Sequence, residues 1–363
     1  MKIKDIKVEI FSHKVDLADF GGGRDLAVVR VITDDGVEGI SYVPGFSHIP
    51  TPLSRAFKEI VEGVIRENIV GLDPTSIEAI WNRLFHRLTR WGRRGIVIQA
   101  ISGIDMALWD ILGKISGLPL WRLLGGYRED VPAYANVAHH LPPRELAKKA
   151  IEYYEKGFRA FKIRGARTEV PFEEATERIR AIRDALGYDV KLMVDMNGSL
   201  DTHQAIEYLR KWERYDLYWI EEPLHPDNLE GYKRIKKYSN TMIAAGEQHS
   251  TVHDFRVLVE DELVDVVQPD ASWCGGISEW LKIWSIATAY GVPVAPHALH
   301  PIHAHLVAAK PNTMWVEYFY PDNPLYSLVY EVFEEPRESL YAEKGSLKAP
   351  KSPGLGLKLK KAS

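Results

Sequence analysis

Asp195, Glu221 and Glu247 each close a short apolar run: Leu192-Met193-Val194, Trp219-Ile220 and Met242-Ile243-Ala244-Ala245-Gly246. Three carboxylates brought to one point repel one another, and burying them without compensation is costly. A divalent cation removes that cost. Oxygen-only ligation, without Cys or His, suits Mg²⁺ better than Zn²⁺. The alternative is that each carboxylate pairs with a neighbouring Lys or Arg, but recurrence in three consecutive units favours the metal. Asp270 and His297 close the next two runs. A carboxylate beside an imidazole fixes its tautomer and raises its proton affinity, which suits a general base near neutral pH. His300, His303 and His305 compete with His297 among the 13 histidines. His297 is preferred because Val292-Pro293-Val294-Ala295-Pro296 delivers it to a strand end, whereas the other three fall in the following loop and helix. Lys162 and Arg164 stand on one face of Phe161-Lys162-Ile163-Arg164 and need anionic company if that run is buried. Glu317 closes Met314-Trp315-Val316.

The elements that carry these residues recur. Across residues 161–317 the apolar runs return every roughly 20–30 residues, the length of a strand-plus-helix unit. Buried parallel strands read as such runs, and side chains alternate along them, so Asp195 and Asn197 share a face. A (β/α)8 barrel carries its chemistry at the C-terminal ends of its strands, where this chain places Lys, Arg, Asp, Asn, Glu and His. Residues 131–136 read as the first barrel strand. Helices are predicted over 145–156, closed by Gly157, after Asp201 as N-cap, and over 281–290.

Before the barrel, residues 1–45 read as antiparallel strands with a hairpin turn at Asp34-Asp35-Gly36, and residues 51–124 as helices. Asp105 and Asp110 lie on an apolar helix and are read as structural groups. Gly21-Gly22-Gly23 reads as a flexible tip; its functional reading is a mobile lid with Arg24 reaching an anion, and the loop through His48 could act likewise. The tail from 321 shows no barrel repeat, and its last dozen residues are read as a mobile end.

Bulk properties narrow the classes. The chain has 363 residues, enough for a barrel plus a smaller domain, with ordinary hydrophobic (45%) and charged (26%) content. A net charge of -4 gives no electrostatic reason to expect nucleic acid or an anionic membrane as partner. No apolar run approaches the roughly 20 residues of a membrane span. The single cysteine, Cys274, excludes an intrachain disulfide and fits a cytoplasmic protein. Scarce glutamine beside abundant Lys, Arg and Glu hints at a thermophilic source.

The chain resembles the mandelate racemase and muconate lactonizing branch of the enolase superfamily, and its acid-sugar dehydratases most. The resemblance is carried by Gly103-Ile104-Asp105-Met106-Ala107-Leu108-Trp109-Asp110, Lys162-x-Arg164, Asp195-x-Asn197, Glu221-Glu222-Pro223, Gly246-Glu247, Gln268-Pro269-Asp270 with Gly275-Gly276, His297 and Val316-Glu317-Tyr318-Phe319. It implies a modified (β/α)8 TIM-type barrel over 126–320 under an α+β capping domain over 1–125, to which the tail 321–363 returns. It implies Mg²⁺ on Asp195, Glu221 and Glu247, chelated by a small-molecule carboxylate substrate. His297, paired with Asp270, takes the proton α to that carboxylate, and Glu317 hydrogen-bonds the enediolate. Asn197, Arg24 and His48 are the candidates for substrate contact. A symmetric homo-oligomer is also implied. One departure bears on the reaction. Racemases of this branch look like Lys-x-Lys at the second strand, and here the second position is Arg164. A guanidinium, with a pKa of about 12.5 or above, makes a poor base. Two-base racemisation is therefore disfavoured, and one-base dehydration of an aldonate or aldarate to a 2-keto-3-deoxy acid is the leading reading. A racemase or epimerase with Lys162 as second base, and a non-catalytic acid-binding barrel, are the alternatives.

Overall fold

The computed structural model describes residues 1–15, 23–45, 52–137, 141–165 and 172–360. His48, and Gly21 and Gly22 of the glycine tip, lie outside them. The chain opens with an antiparallel sheet of β1 (Ile3–Lys14), β2 (Gly23–Thr33) and β3 (Glu38–Pro44). Gly36, at φ +89°, makes the turn between β2 and β3. The helix Ile96–Ser116 lies directly on this sheet: a Cβ on Gly39 would stand 2.1 Å from the carbonyl oxygen of Ala107, so only glycine allows the approach. At 21 residues and a mean hydropathy of 1.5, this helix is long and apolar enough to span a membrane by composition, contrary to the reading of the sequence. It is apolar all round because it is enclosed by protein, with 83% of that stretch buried. Its two acids are structural, as predicted. Asp105 accepts from the Ser278 backbone N (3.0 Å) and Oγ (2.5 Å), and Asp110 accepts from Ile40 N (2.8 Å) and Leu355 N (2.7 Å).

The barrel follows. Its strands are β4 (Asp130–Asn136), β5 (Ala160–Arg164), β6 (Lys191–Asp195), β7 (Trp219–Glu221), β8 (Met242–Ala245) and β9 (Val266–Val267), paired in parallel in chain order. The seventh position is reduced to one residue, Val294, which bridges Val267 on one side and Thr313 on the other. β10 (Val316–Tyr318) then pairs with β4 and closes the circuit. Helices fill the crossovers. Pro143–Glu155 ends before Gly157, and Thr202–Trp212 starts from a capping box made by Asp201 and Gln204.

Strand periodicity explains where the chemistry stands. Tyr134, Ala160, Met193, Trp219, Ala244, Val266 and Ala295 pack together inside the barrel as an apolar floor. Two residues further along most of these strands come Asn136, Lys162, Asp195, Glu221, Gln268 and His297. The same parity that puts one residue on the floor puts the next-but-one directly above it. The tail pairs with the body of the protein, and of the last dozen residues, predicted as a mobile end, those described run through 360 and include a strand. Ser346–Lys348 pairs antiparallel with β4, and Lys358–Leu359 pairs with Phe333–Glu335. The Tyr326 and Tyr42 hydroxyls meet at 3.1 Å, tying the tail to the N-terminal sheet.

Candidate active site

Asp195 and Glu221 end β6 and β7, and Glu247 lies two residues beyond β8. Gly246 makes the last placement possible: it adopts φ +149°, and a Cβ there would stand 2.7 Å from the Gln268 amide. One carboxylate oxygen from each acid lies within 4.8 Å of the others. Asn197, left-handed at φ +47°, turns back so that its backbone N donates to Asp195 Oδ1 (2.8 Å) and its Nδ2 to Glu247 Oε1 (2.9 Å).

Lys162 is buried and its Nζ lies 2.5 Å from Glu221 Oε1 and 2.8 Å from Glu317 Oε1. Burial disfavours the ammonium, but Glu221 and Glu317 outweigh it and raise its proton affinity well above the ordinary lysine value. Glu317 also accepts from Asn136 Nδ2 (2.6 Å) and Ala298 N (2.9 Å). Burial pushes its carboxyl up, yet Lys162 and His297 win and hold it down at about 2. An ionised carboxylate only accepts, so a hydrogen bond from Glu317 to an enediolate, as the resemblance implied, requires that it first take up a proton. Glu221 behaves oppositely. Burial, helped by Asp195, Glu317 and Glu247, pushes it up to about 7 against the downward pull of Lys162. Gln268 Nε2 (2.7 Å) and Trp219 Nε1 (3.1 Å) donate to its second oxygen.

Arg164 Nη1 stands 3.3 Å from Asp195 Oδ2. Among the described residues, neither its Nε nor its Nη1 finds a hydrogen-bond acceptor although both are buried. Such donors need an acceptor, and an anionic ligand would supply one.

Asp270 Oδ2 meets His297 Nδ1 at 2.9 Å, while Ser272 N (2.7 Å) and Oγ (2.6 Å) donate to Asp270 Oδ1. His297 Nε2 points into the cluster, 3.2 Å from Glu247 Oε2 and 4.0 Å from Glu317 Oε2. Burial works against the imidazolium, but Glu247, then Asp270 and Glu317, raise His297 to about 10. Because Glu247 is the strongest of those upward pulls, a cation on the three carboxylates would also lower the proton affinity of this imidazole.

A divalent cation fits the donor set. Asp195, Glu221, Glu222, Glu247, Asp270 and Glu317 crowd one strand-end cluster whose permanent cations, among the described residues, are Lys162 and Arg164. The sequence reading thus meets in space for Lys162, Arg164, Asp195, Asn197, Glu221, Glu247, Asp270, His297 and Glu317. Arg24 is the second residue of β2, paired across the sheet with His13 of β1. Asn136 and Gln268, which orient Glu317 and Glu221, were given no role in the sequence reading. Their signal was the strand-end position shared with the residues that were singled out. His300, His303 and His305 are buried in the helix His300–Ala309 that follows His297, as predicted.

Two family descriptions match the chain: "Mandelate racemase / muconate lactonizing enzyme, N-terminal domain" over residues 20–125, and "Enolase C-terminal domain-like" over residues 145–363. The chain is 33% identical over 370 residues to the arabinonate dehydratase of Saccharolobus solfataricus, covering 98% of this chain and 96% of that protein. Among solved structures, a racemase from Streptomyces coelicolor with bound magnesium superposes with a TM-score of 0.89 at 30% identity, covering 98% of this chain and 97% of that one. The L-talarate/galactarate dehydratase of Salmonella typhimurium, liganded with Mg and L-lyxarohydroxamate, superposes with a TM-score of 0.87 at 30% identity, covering 99% and 91%.

Proposed function

The chain belongs to the mandelate racemase/muconate lactonizing enzyme family of enolase-like proteins, and on that premise we propose that it dehydrates a sugar acid, an aldonate or aldarate, to the 2-keto-3-deoxy acid. One observation carries the reading: among the described residues, one hydrogen-bonded Asp–His dyad, Asp270–His297, shares the site with two cations unsuited to act as bases. Lys162 is held between Glu221 and Glu317, and its proton affinity is raised. The other cation is the Arg164 guanidinium. The dehydratase relatives support the general reaction.

In this reading Asp195, Glu221 and Glu247 would hold Mg²⁺, which would supply positive charge against a substrate carboxylate and the negative charge that develops on it. The Nε and Nη1 of Arg164, which lack a hydrogen-bond acceptor among the described residues, take carboxylate oxygens from the side of Asp195. His297 Nε2 removes the proton α to the carboxylate, while Asp270 accepts from Nδ1 and stabilises the imidazolium. The electron pair of the broken C–H bond moves into the carboxylate as an enediolate. It returns to form the Cα–Cβ double bond as the β C–O bond breaks. The proton on His297 Nε2 goes to the departing hydroxyl, so water leaves and the imidazole is neutral again. The enol product tautomerises to the 2-keto acid. Glu317 holds Lys162 in place and accepts from Ala298 N just beyond the base.

The solved racemase supports a second reading, racemisation or epimerisation. It needs a group that returns a proton to the opposite face and is itself restored as a base, and neither Lys162 nor Arg164 suits that role. The deciding experiment is a screen of aldonic and aldaric acids with Mg²⁺ in deuterated solvent. Release of 2-keto acid without deuterium in recovered substrate of inverted configuration is expected. Deuterated substrate of both configurations and no keto acid would replace dehydration with racemisation.

A further inference from the structure

Immediately after the base stand two consecutive non-glycine residues in the left-handed region, Ala298 at φ +48° and Leu299 at φ +47°. L residues persist there only where the surroundings hold them. Ala298 is held at both ends. Its N–H donates to Glu317 Oε2 at 2.9 Å, and its carbonyl oxygen lies 2.8 Å from His303 Nδ1. The other nitrogen of that imidazole, Nε2, lies 3.1 Å from the Ala271 backbone N. A backbone N–H can only donate, so Nε2 accepts and the proton sits on Nδ1, which donates to Ala298 O. One fully buried ring therefore joins the residue after Asp270 to the residue after His297. The backbone ladder between these two strand positions runs through Val267 and Pro293–Ala295 and stops short of both residues. Burial holds the proton affinity of His303 down, at about 4, which keeps the ring in the neutral form that this double role requires.

We infer that His303 is a positioning residue for the base: it clamps the Asp270 and His297 loops together and holds the left-handed turn that aims His297 Nε2 into the site. The inference rests on the proposed role of His297. Three variants separate the two ends of the clamp. In His303→Asn the amide nitrogen falls near the place of Nδ1 and keeps the tie to Ala298. In His303→Gln the amide oxygen reaches the place of Nε2 and keeps the tie to Ala271. His303→Leu keeps neither. The leucine variant is expected to lose about 10- to 100-fold in kcat with KM within about threefold, the usual size of a misaimed catalytic group. The asparagine variant is expected to recover most of that loss and the glutamine variant less, whatever their order of thermal stability. Wild-type kcat in a folded leucine variant would overturn the inference. So would losses that simply follow the melting temperatures. If the leucine variant fails to fold, the order of asparagine over glutamine decides. If the wild type turns over no sugar acid, the dehydratase reading has failed separately. The clamp is then read without substrate, from nitrogen NMR of His297. Its Nδ1–H bond to Asp270 is expected to persist in His303→Asn and to weaken in His303→Gln, and the reverse order overturns the inference.

Discussion

Replacing Lys162 with methionine removes the buried ammonium that contacts both Glu221 and Glu317 while roughly keeping its volume. In the native protein Glu317 is brought from an ordinary 4.5 to about 2, and Lys162 is the largest influence lowering it. That depression corresponds to about 3 kcal/mol of stability at neutral pH. An independent route gives a similar size: stripping one partner from a buried ion pair costs about 3–5 kcal/mol. Lys162→Met is therefore expected to lose about 3–5 kcal/mol at pH 7, measured by urea unfolding of chelator-treated protein. The sign with pH follows. In the wild type the folded pKa of Glu317 is depressed, so its contribution is complete above the unfolded value and is lost as pH falls toward 2. In the variant the carboxyl is buried without its ammonium and its folded pKa rises above the unfolded value. Its contribution is then present in acid and lost as pH rises. The gap between the two proteins should narrow steadily from pH 7 to pH 4.5. Equal urea midpoints at pH 7, or a gap that widens on acidification, would refute the reasoning. Either result would mean that Lys162 is not held as an ammonium, and the argument against a second base would fall with it.

His297→Asn should lower kcat by about 10²- to 10⁴-fold, with a small change in KM, and should abolish solvent exchange of the α-proton. Exchange at the wild-type rate would assign the base elsewhere. Glu221→Gln removes one charge from the candidate metal site, so titration calorimetry should show much weaker Mg²⁺ binding while circular dichroism reports the same fold; full activity of a verified metal-free wild type would end the metal reading. Arg164→Lys keeps the charge but loses the planar fork of donors, so KM for the acid should rise and dehydration should slow. An unchanged KM would show that the guanidinium does not hold the carboxylate.

The barrel was legible in the sequence because its signal is local. A buried parallel strand must be apolar on both faces, and its exit must be polar where it reaches the site, so Val194-Asp195 and Ile220-Glu221 announce themselves without any neighbour. The helix start at Asp201 and stop at Gly157 were equally local. The seventh strand was legible only as the run before His297, because its pairing has shrunk to Val294. The order of the tail was missed. Its polar, Pro- and Gly-rich composition reads as a free end, and its partners on β4 and at Asp110 lie more than two hundred residues earlier in the chain.

Residue identity determined which chemistry was available: three oxygen ligands, one imidazole beside a carboxylate, and an arginine where a second lysine would have offered another base. Only the tertiary structure decided which charge each group carries. Glu221 and Glu317 are the same side chain in one cluster, both buried and both touching Lys162, yet one is pushed up and the other held down. The difference is the company across the barrel. Glu221 faces Asp195 and Glu247, whereas Glu317 faces His297 and accepts from Asn136 and Ala298. Electrostatic free energy depends on distances between residues remote in sequence and on the water removed from around them, and neither quantity exists until the chain has folded.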